Sequence, residues 1–330
     1  MTQNAETMKA AVSGANGLEI REVPRPKPKP NEVLVRVRVA GLNRADLAGA
    51  AHGGHTGPIF IPGLDWSGDV AEIGAEVKGV KVGDKVMCSG GGGYAEYAVS
   101  DWGRVMPFPG AISYEQAATL PVALITMHDA LVTNGRLKRG ETVLIQGASS
   151  AVGLMGLQIA KHRGARLVMG SSTNAGRRAR LAEFGADLAV DTSGPEWVEQ
   201  VTKATGGKGV DLVVDMVTGK LASQTLQATA ILGRIVNVGR LGGTKAEFDF
   251  NLHALRRIDF IGVTFRTRSL DEVREISRRA RADLWQALAA GTFKLPIDRV
   301  FPLEEAEQAQ AHMRANAHFG KILLKVTDSA

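Results

Sequence analysis

The chain has 330 residues, 44% of them apolar, which is enough to bury the cores of two domains. Its 40 basic and 34 acidic residues give a net charge of +6 that is spread along the chain, which favours anionic ligands without indicating nucleic-acid binding. The single cysteine, Cys88, excludes an intramolecular disulfide and a zinc site built from cysteines.

The sequence gives no sign of export or membrane insertion. No basic segment followed by an apolar one stands at the N-terminus, so no signal peptide is predicted. The most apolar stretch, residues 117–132, contains Pro121, His128 and Asp129 and is too short and too polar to span a bilayer. We therefore expect a cytoplasmic protein.

The first third of the chain is predicted to be mainly β. Short alternating segments are separated by turn signals such as Asn16-Gly17 and Gly83-Asp84. Residues 33–39 alternate, from Leu34 on, between apolar and basic side chains, as a half-exposed strand would. The predicted strands are residues 9–12, 32–39, 69–73 and 85–87.

From about Tyr114 the pattern changes to helices that alternate with strands. After a helix over residues 117–131, strands are predicted at 142–146, 166–170, 188–191, 210–217, 234–238 and 260–265. The helices between them are predicted at 151–162, 177–184, 196–204 and 221–232. This alternation is typical of an α/β fold with a doubly wound parallel sheet. Beyond it we predict a helix at 271–290, a strand at 299–302, a helix at 304–315 and a closing strand at 321–326.

The segment 143–156 carries the strongest chemical signal. An apolar strand leads into a turn of small residues and then into an apolar helix, with Gly147, Ser150 and Gly153 at intervals of three. Small residues let the backbone approach a pyrophosphate, and the N–H groups and dipole of the helix N-terminus bind its charge. An ordinary strand–turn–helix without a nucleotide is the alternative, but the surrounding βαβ pattern favours a dinucleotide. The predicted binding residues are Ser149, Ser150, Ala151, Val152 and Gly153.

The end of the second strand of this domain favours NADPH over NADH. NAD-binding domains place a carboxylate there to accept hydrogen bonds from the ribose hydroxyls. Here the strand ends Gly170-Ser171-Ser172-Thr173, and Arg177-Arg178 follow. Hydroxyl and guanidinium groups suit a 2′-phosphate, which an unpaired carboxylate would repel. The alternative is that both arginines belong to a solvated helix face.

Motifs along the whole chain resemble those of one known family. They are AGLNRADL at 40–47, PGLDWSG at 62–68, VGDKV at 82–86, GGGYAEY at 91–97, QAATLP at 116–121, FRTR at 265–268 and GKILL at 320–324. With these motifs the chain resembles the medium-chain dehydrogenase/reductase superfamily, and within it the zinc-independent quinone oxidoreductases of the p53-inducible type. The resemblance implies a Rossmann domain over residues 122–266 and a mainly β, GroES-like catalytic domain formed by residues 1–121 and 267–330. It also implies an active site in the cleft between them.

The resemblance further implies that no metal takes part. Zinc alcohol dehydrogenases of the same superfamily carry a cysteine at the position of Asn43 and Gly-His-Glu at positions 63–65. Here Asn43 and Leu64 lack the thiolate and the imidazole that would hold zinc. Without a metal to lower the pKa of an alcohol, alcohol oxidation is disfavoured. The expected reaction is direct hydride transfer from NADPH to a quinone, or to the β-carbon of an enone.

Roles for individual residues follow from the resemblance. Asn43 and Asp46 are expected at the nicotinamide end of the cleft, and Thr126 against the nicotinamide amide. His55 stands where related enzymes carry a cleft tyrosine, so it is either a proton donor or a solvated loop residue. The other expected cofactor contacts are Ser171, Ser172 and Arg177 at the 2′-phosphate, Val238, Gly239 and Phe265 around the ring, and Lys321, with Asn316, near the C-terminal closure of the site.

Partners and alternative functions complete these expectations. Residues 259–265 are expected to form an edge strand of the Rossmann sheet, where pairing would join two subunits into a homodimer. Two other functions stay open: an NADPH-dependent enone or enoyl-thioester reductase, and an NADPH-binding regulatory protein with little turnover. Cys88, Trp66 and Tyr94 are interpreted as packing residues.

Overall fold

Two compact units make up the chain in a computed structural model that describes residues 6–14, 17–50 and 59–327. Unit 1 consists of residues 1–122 and 273–330, and unit 2 of residues 123–272. The domain boundaries expected from the sequence lie just after residues 121 and 266.

The strands and helices follow in chain order. They begin with β1 (Thr7–Gly14), β2 (Gly17–Pro24), β3 (Glu32–Gly41), α1 (Arg44–Ala50), β4 (Asp65–Ile73), β5 (Lys85–Ser89), β6 (Tyr97–Asp101), β7 (Val105–Pro107), α2 (Tyr114–Ala118) and α3 (Pro121–His128). They continue with β8 (Thr142–Gln146), α4 (Ala151–His162), β9 (Leu167–Ser171), α5 (Ala175–Ala179), β10 (Leu188–Val190), α6 (Trp197–Ala204), β11 (Val210–Asp215), α7 (Ala222–Ala228) and β12 (Thr229–Asn237). The last elements are α8 (Phe250–Arg256), β13 (Asp259–Gly262), α9 (Leu270–Ala289), β14 (Ile297–Pro302), α10 (Ala306–Arg314) and β15 (Lys321–Lys325). No helix among the described ranges is both long and apolar enough to cross a membrane.

Unit 1 is mainly β, as predicted. Its large sheet has the order β14-β15-β3-β4-β5-β7, with β6 also paired to β3, and β1 pairs with β2 in a separate hairpin. The β3 strand therefore lies at the centre, where its valines are buried. This position corrects the expectation that the basic residues of β3 face solvent: Arg36 does, but Arg38 is buried. Its guanidinium lies 2.7 Å from Asp69, because a buried charge requires a counter-charge.

Unit 2 holds a parallel sheet of six strands in the order β10-β9-β8-β11-β12-β13. All neighbouring strands run parallel, so the predicted α/β class is confirmed. The next two strands along the chain, β9 and β10, lie on one side of β8 in the sheet. The later strands β11, β12 and β13 lie on its other side. The strand order therefore reverses between β8 and β11, and in such sheets ligands bind at the carboxyl ends of the strands at this point.

Three helix predictions in this half are corrected by the structure. Residues 117–131 do not form one helix, because Pro121 begins a new one and residues 129–134 form a π-helix. Residues 177–184 divide into the end of α5 and a 3₁₀ turn. The helix predicted over 221–232 ends at Ala228, and β12 begins with a bulge in which Leu232 has a φ of +61°. The apolar residues of the bulge continue the helical pattern, which explains the error.

Candidate functional site

The turn between β8 and α4 has the geometry of an anion-binding helix N-terminus. Gly147 follows β8 with a φ of +75°, and Ser150 caps α4 by accepting the Gly153 N–H at 3.1 Å. The Ser150 hydroxyl donates to the Gly147 carbonyl at 3.0 Å, which fixes the turn. The first N–H groups of a helix, here those of Ala151 and Val152, have no acceptor within the helix, and the helix dipole favours negative charge beside them.

Gly153 is required by the close approach of α4 to this turn. A Cβ atom at Gly153 would lie 2.6 Å from both the Ala148 Cα and the Gly147 carbonyl oxygen. Backbone atoms cannot move aside as a flexible side chain can, so a larger residue would push the helix away from the turn. The side chains of this turn are also small, so they would leave its backbone accessible to a pyrophosphate.

Hydroxyl groups at the end of β9 hold the turn between β8 and α4. Ser171 is buried, and its hydroxyl accepts the Gly147 N–H at 3.2 Å. The Ser172 hydroxyl donates to the Ser149 Oγ at 3.1 Å. Of the two predicted 2′-phosphate serines, Ser171 is thus turned inward towards the loop, because the loop N–H requires an acceptor.

The two arginines that follow β9 differ in their contacts. The Arg178 guanidinium donates to the Ser172 carbonyl at 2.8 Å and lies 3.0 Å from Asp191 at the end of β10. Arg177 is half-buried on α5, and its backbone N–H is capped by the Asn174 side chain at 2.9 Å. Arg177 is the arginine predicted to contact the 2′-phosphate, and Arg178 is bonded to the residue that follows the strand.

A hydrogen-bond network joins the carboxyl ends of β11 and β12. Asp215 ends β11 and accepts two backbone N–H groups of the next loop at 2.8 Å, while burial raises the pKa of its carboxyl. The Thr218 hydroxyl donates to the Gly239 carbonyl at 3.0 Å and accepts the Asn237 amide. Thr218 itself has a φ of +55°, which a β-branched residue adopts only where its surroundings impose it. The predicted cofactor segment that starts at Val238 is therefore held rigidly to the loop after β11.

Two further predicted residues of unit 2 lie on neighbouring segments. Thr126 is half-buried on α3, between the buried Ile125 and Met127. Phe265 is half-buried in the segment that follows β13, and the guanidinium carbon of Arg268 lies 6.0 Å from its ring centroid.

A buried ammonium group joins the predicted site residues of unit 1. The Lys321 side chain is 2% exposed, and its Nζ donates to the Leu42 carbonyl at 3.1 Å, the Asn43 Oδ1 at 2.9 Å and the Asp65 Oδ2 at 2.5 Å. The Asn43 amide also donates to Asp65, at 2.9 Å. An ammonium has three N–H groups, and all three have protein acceptors here. These acceptors all belong to unit 1, and the expected contact of Lys321 with the cofactor stays a prediction.

Asp46 lies next to this cluster and is buried on α1. Its carboxylate accepts the Asn43 N–H at 2.7 Å and the Tyr94 hydroxyl at 3.0 Å. Burial raises the pKa of Asp46 to about 6, although both hydrogen bonds and the charge of Lys321 act in the opposite direction. Burial and the nearby Asp46 carboxylate raise the pKa of Tyr94 well above its ordinary value, so this hydroxyl stays a donor. The raised pKa brings the titration of Asp46 closer to neutral pH than that of an exposed aspartate.

Two predicted residues of unit 1 remain, Asn316 and His55. Asn316 has a φ of +52° and accepts a hydrogen bond from Arg44 at 3.0 Å. His55 lies outside the described residues.

Several polar residues of these clusters were not predicted from the sequence. Asp65 and Tyr94 stand inside quoted motifs, but Tyr94 was interpreted as a packing residue because a glycine run precedes it. Asp215 and Asn237 end apolar strands, and a polar residue at the carboxyl end of a parallel strand is a signal that could have found both.

Comparisons with known proteins identify the family of the chain. The model of the zinc-binding dehydrogenase family matches residues 151–281, and that of the alcohol dehydrogenase GroES-like domain matches residues 29–110. Quinone oxidoreductase-like protein 2 of Bos taurus is 34% identical over 314 residues, which cover 94% of this chain and 89% of that protein. Quinone oxidoreductase of Rattus norvegicus is 28% identical over 304 residues, which cover 91% of this chain and 90% of that protein. A solved quinone oxidoreductase of Pseudomonas syringae matches with a TM-score of 0.85 at 25% identity, over 97% of this chain and 100% of that one.

Proposed function

Because this chain belongs to the quinone oxidoreductase-like group of the medium-chain dehydrogenase/reductase superfamily, we propose that it is a zinc-independent reductase that transfers a hydride from NADPH to a quinone. The family supports an oxidoreductase with a nicotinamide cofactor. The choice of NADPH rests on one observation: Ser172 directly follows β9, Arg178 on α5 donates to its carbonyl, and the nearby carboxylate of Asp191 is already paired with that arginine.

The residues of unit 2 suit the parts of NADPH in order. The start of α4, with Ser149, Ala151 and Val152, would bind the pyrophosphate through backbone N–H groups. Ser172 together with Arg177 and Arg178 would bind the 2′-phosphate through hydroxyl and charge-assisted hydrogen bonds. Val238, Gly239, Phe265 and Thr126 are assigned to the nicotinamide. When bound, the cofactor supplies the hydride.

Unit 1 suits reduction without a metal. An ammonium stands between Asn43 and Asp65, at positions where zinc enzymes of the superfamily carry metal-site residues, and it supplies the positive charge there. Two-electron reduction of a quinone needs one hydride and one proton. We assign the proton to Asp46, whose pKa is raised by burial to about 6, with His55 as the second candidate donor.

We also propose that the protein is a homodimer joined through β13. This strand ends the sheet of unit 2, and its outer backbone groups face away from β12. Phe250 and Phe260 beside it are 76% and 41% exposed and line a groove of about 730 Å³. A second copy would pair with the strand and cover these aromatic rings.

A binding experiment tests the choice of cofactor. The dissociation constants of NADPH and NADH are measured by fluorescence titration for the wild type and for Arg177→Ala and Arg178→Ala. A lost charge-assisted hydrogen bond is worth ~1.5–3 kcal/mol, so we expect NADPH to bind about 10- to 100-fold more weakly to at least one variant while NADH changes little.

Arg180→Ala provides the matched control, because Arg180 follows the same helix and is paired with Glu183 on the surface. We expect this variant to bind both cofactors as the wild type does. Equal weakening of NADPH and NADH by the Arg177 and Arg178 substitutions would contradict the proposed 2′-phosphate site.

A further inference from the structure

One ion pair of unit 2, between a buried carboxylate and a half-buried guanidinium, is not explained by cofactor binding. The Arg268 guanidinium lies 2.8 Å from the carboxylate of Asp129, 139 residues earlier in the chain. The Asp129 side chain is 3% exposed and that of Arg268 is 21% exposed. Burying such a pair costs solvation energy, so it adds little stability over apolar residues of the same size. Its clearest effect is to hold two segments in one fixed arrangement.

The first of these segments runs along the sheet of unit 2. Asp129 opens the π-helix of residues 129–134, and the carbonyl of Gly135 just after it accepts a hydrogen bond from Arg234 on β12 at 2.9 Å. Arg268, the partner of Asp129, lies in the segment whose Val263 N–H binds the Asn237 carbonyl at the carboxyl end of β12, so the chain from Gly135 back to Asp129 leads towards that end. Thr126 lies a further three residues back, in the last turn of α3. π-helical turns occur frequently at functional sites.

The second segment is the loop of residues 263–268. Its first residue, Val263, donates its N–H to the Asn237 carbonyl at the carboxyl end of β12, at 3.1 Å. Its last residue, Arg268, donates to the Thr264 carbonyl at 3.0 Å and faces the ring of Phe265. The Arg268 guanidinium thus binds both the beginning of its own loop, at Thr264, and the carboxylate of Asp129.

We propose that Arg268, through Asp129, is a positioning residue that fixes the Phe265 loop relative to the helix end that carries Thr126, and thereby sets the rate of hydride transfer. The inference rests on the function proposed above. It assigns Arg268 no contact with substrate or cofactor. Misplacement of reacting groups by about 1 Å can cost roughly 100-fold in rate, so an effect of this size needs no loss of binding.

Arg268→Ala, Arg268→Lys and the control Arg266→Ala are compared with the wild type. Arg266 lies on the same loop but is exposed and outside the ion pair. The measurements are the dissociation constant of NADPH and anaerobic turnover of a para-quinone with NADPH and with NADPH deuterated at C4. We expect kcat of Arg268→Ala to fall about 10- to 100-fold, with binding changed less than about threefold and a larger isotope effect on kcat. Lysine, or added guanidinium, should restore part of the rate, and Arg266→Ala should behave as the wild type.

Unchanged kcat and isotope effect in Arg268→Ala would overturn the proposal, as would a loss explained by weaker NADPH binding alone. Amide hydrogen exchange provides a readout that does not need turnover. Faster exchange in both 263–268 and 129–134 is expected in Arg268→Ala, and unchanged exchange in 129–134 would refute the coupling. Absence of quinone turnover in the wild type, with this exchange response present, would instead refute the proposed function.

Discussion

Replacement of Asp46 by asparagine removes a titratable group from the interior of unit 1 with little change in shape. The side chain is 4% exposed, and burial raises its pKa to about 6. An aspartate in an unfolded chain titrates near 3.9, so the folded protein binds this proton more tightly. Protonation of Asp46 therefore stabilises the fold, and ionisation at higher pH takes that stabilisation away.

The size of this effect follows from the pKa. A rise from 3.8 to about 6 is about 2 units, which at ~1.4 kcal/mol per unit gives about 3 kcal/mol. This stabilisation by protonated Asp46 is complete at pH values below the pKa of the unfolded state. It is lost as the pH rises through the pKa of the folded state. Between pH 4 and pH 7.5 the unfolding free energy of Asp46→Asn should therefore rise by about 2–3 kcal/mol relative to that of the wild type.

Equilibrium urea unfolding at several pH values between 4 and 7.5 measures this difference. Asp283→Asn, an exposed position on α9, provides the control and should follow the wild type within about 0.5 kcal/mol at every pH. Parallel pH profiles for the wild type and Asp46→Asn would refute the account of a buried carboxyl that titrates near pH 6.

Three other substitutions test separate parts of the structure. Lys321→Met leaves the buried Asp65 carboxylate without its ammonium partner, so we expect a loss of about 3–5 kcal/mol in urea unfolding, and a loss below about 1 kcal/mol would contradict the buried pair. Gly153→Val places atoms against the turn before α4, so calorimetry should show lower stability by about 1–3 kcal/mol and titration should show weakened NADPH binding, whereas Gly110→Ala, with open space around it, should change neither. Phe250→Glu puts a charge on the exposed face beside β13, so light scattering should detect monomers, and a dimer of unchanged stability would contradict the proposed interface.

Local patterns predicted most of unit 2. The strand over 142–146 and the helix over 151–162 coincide with β8 and α4, because apolar periodicity and the cap at Ser150 are properties of neighbouring residues. The parallel sheet followed from the alternation of such elements. The bulge at the start of β12 could not be found in this way, since its apolar residues continue the periodicity of the helix before it.

Long-range pairs were not predictable from one sequence. Lys321 meets Asp65 across 256 residues and Arg268 meets Asp129 across 139, and no periodicity or spacing connects such positions. The same reason explains Arg38, whose place in the alternation suggests exposure although it is buried and paired with Asp69 on the neighbouring strand. The burial of a charged side chain therefore depends on the complete sheet, which forms from distant parts of the chain.

The central claim is tested most directly by anaerobic initial rates of NADPH oxidation with a para-quinone, beside NADH with the same quinone and NADP⁺ with a primary alcohol. The account predicts quinone-dependent oxidation with a clear preference for NADPH over NADH, and no oxidation of the alcohol. Turnover of the alcohol, or equal rates with the two cofactors and the quinone, would contradict it.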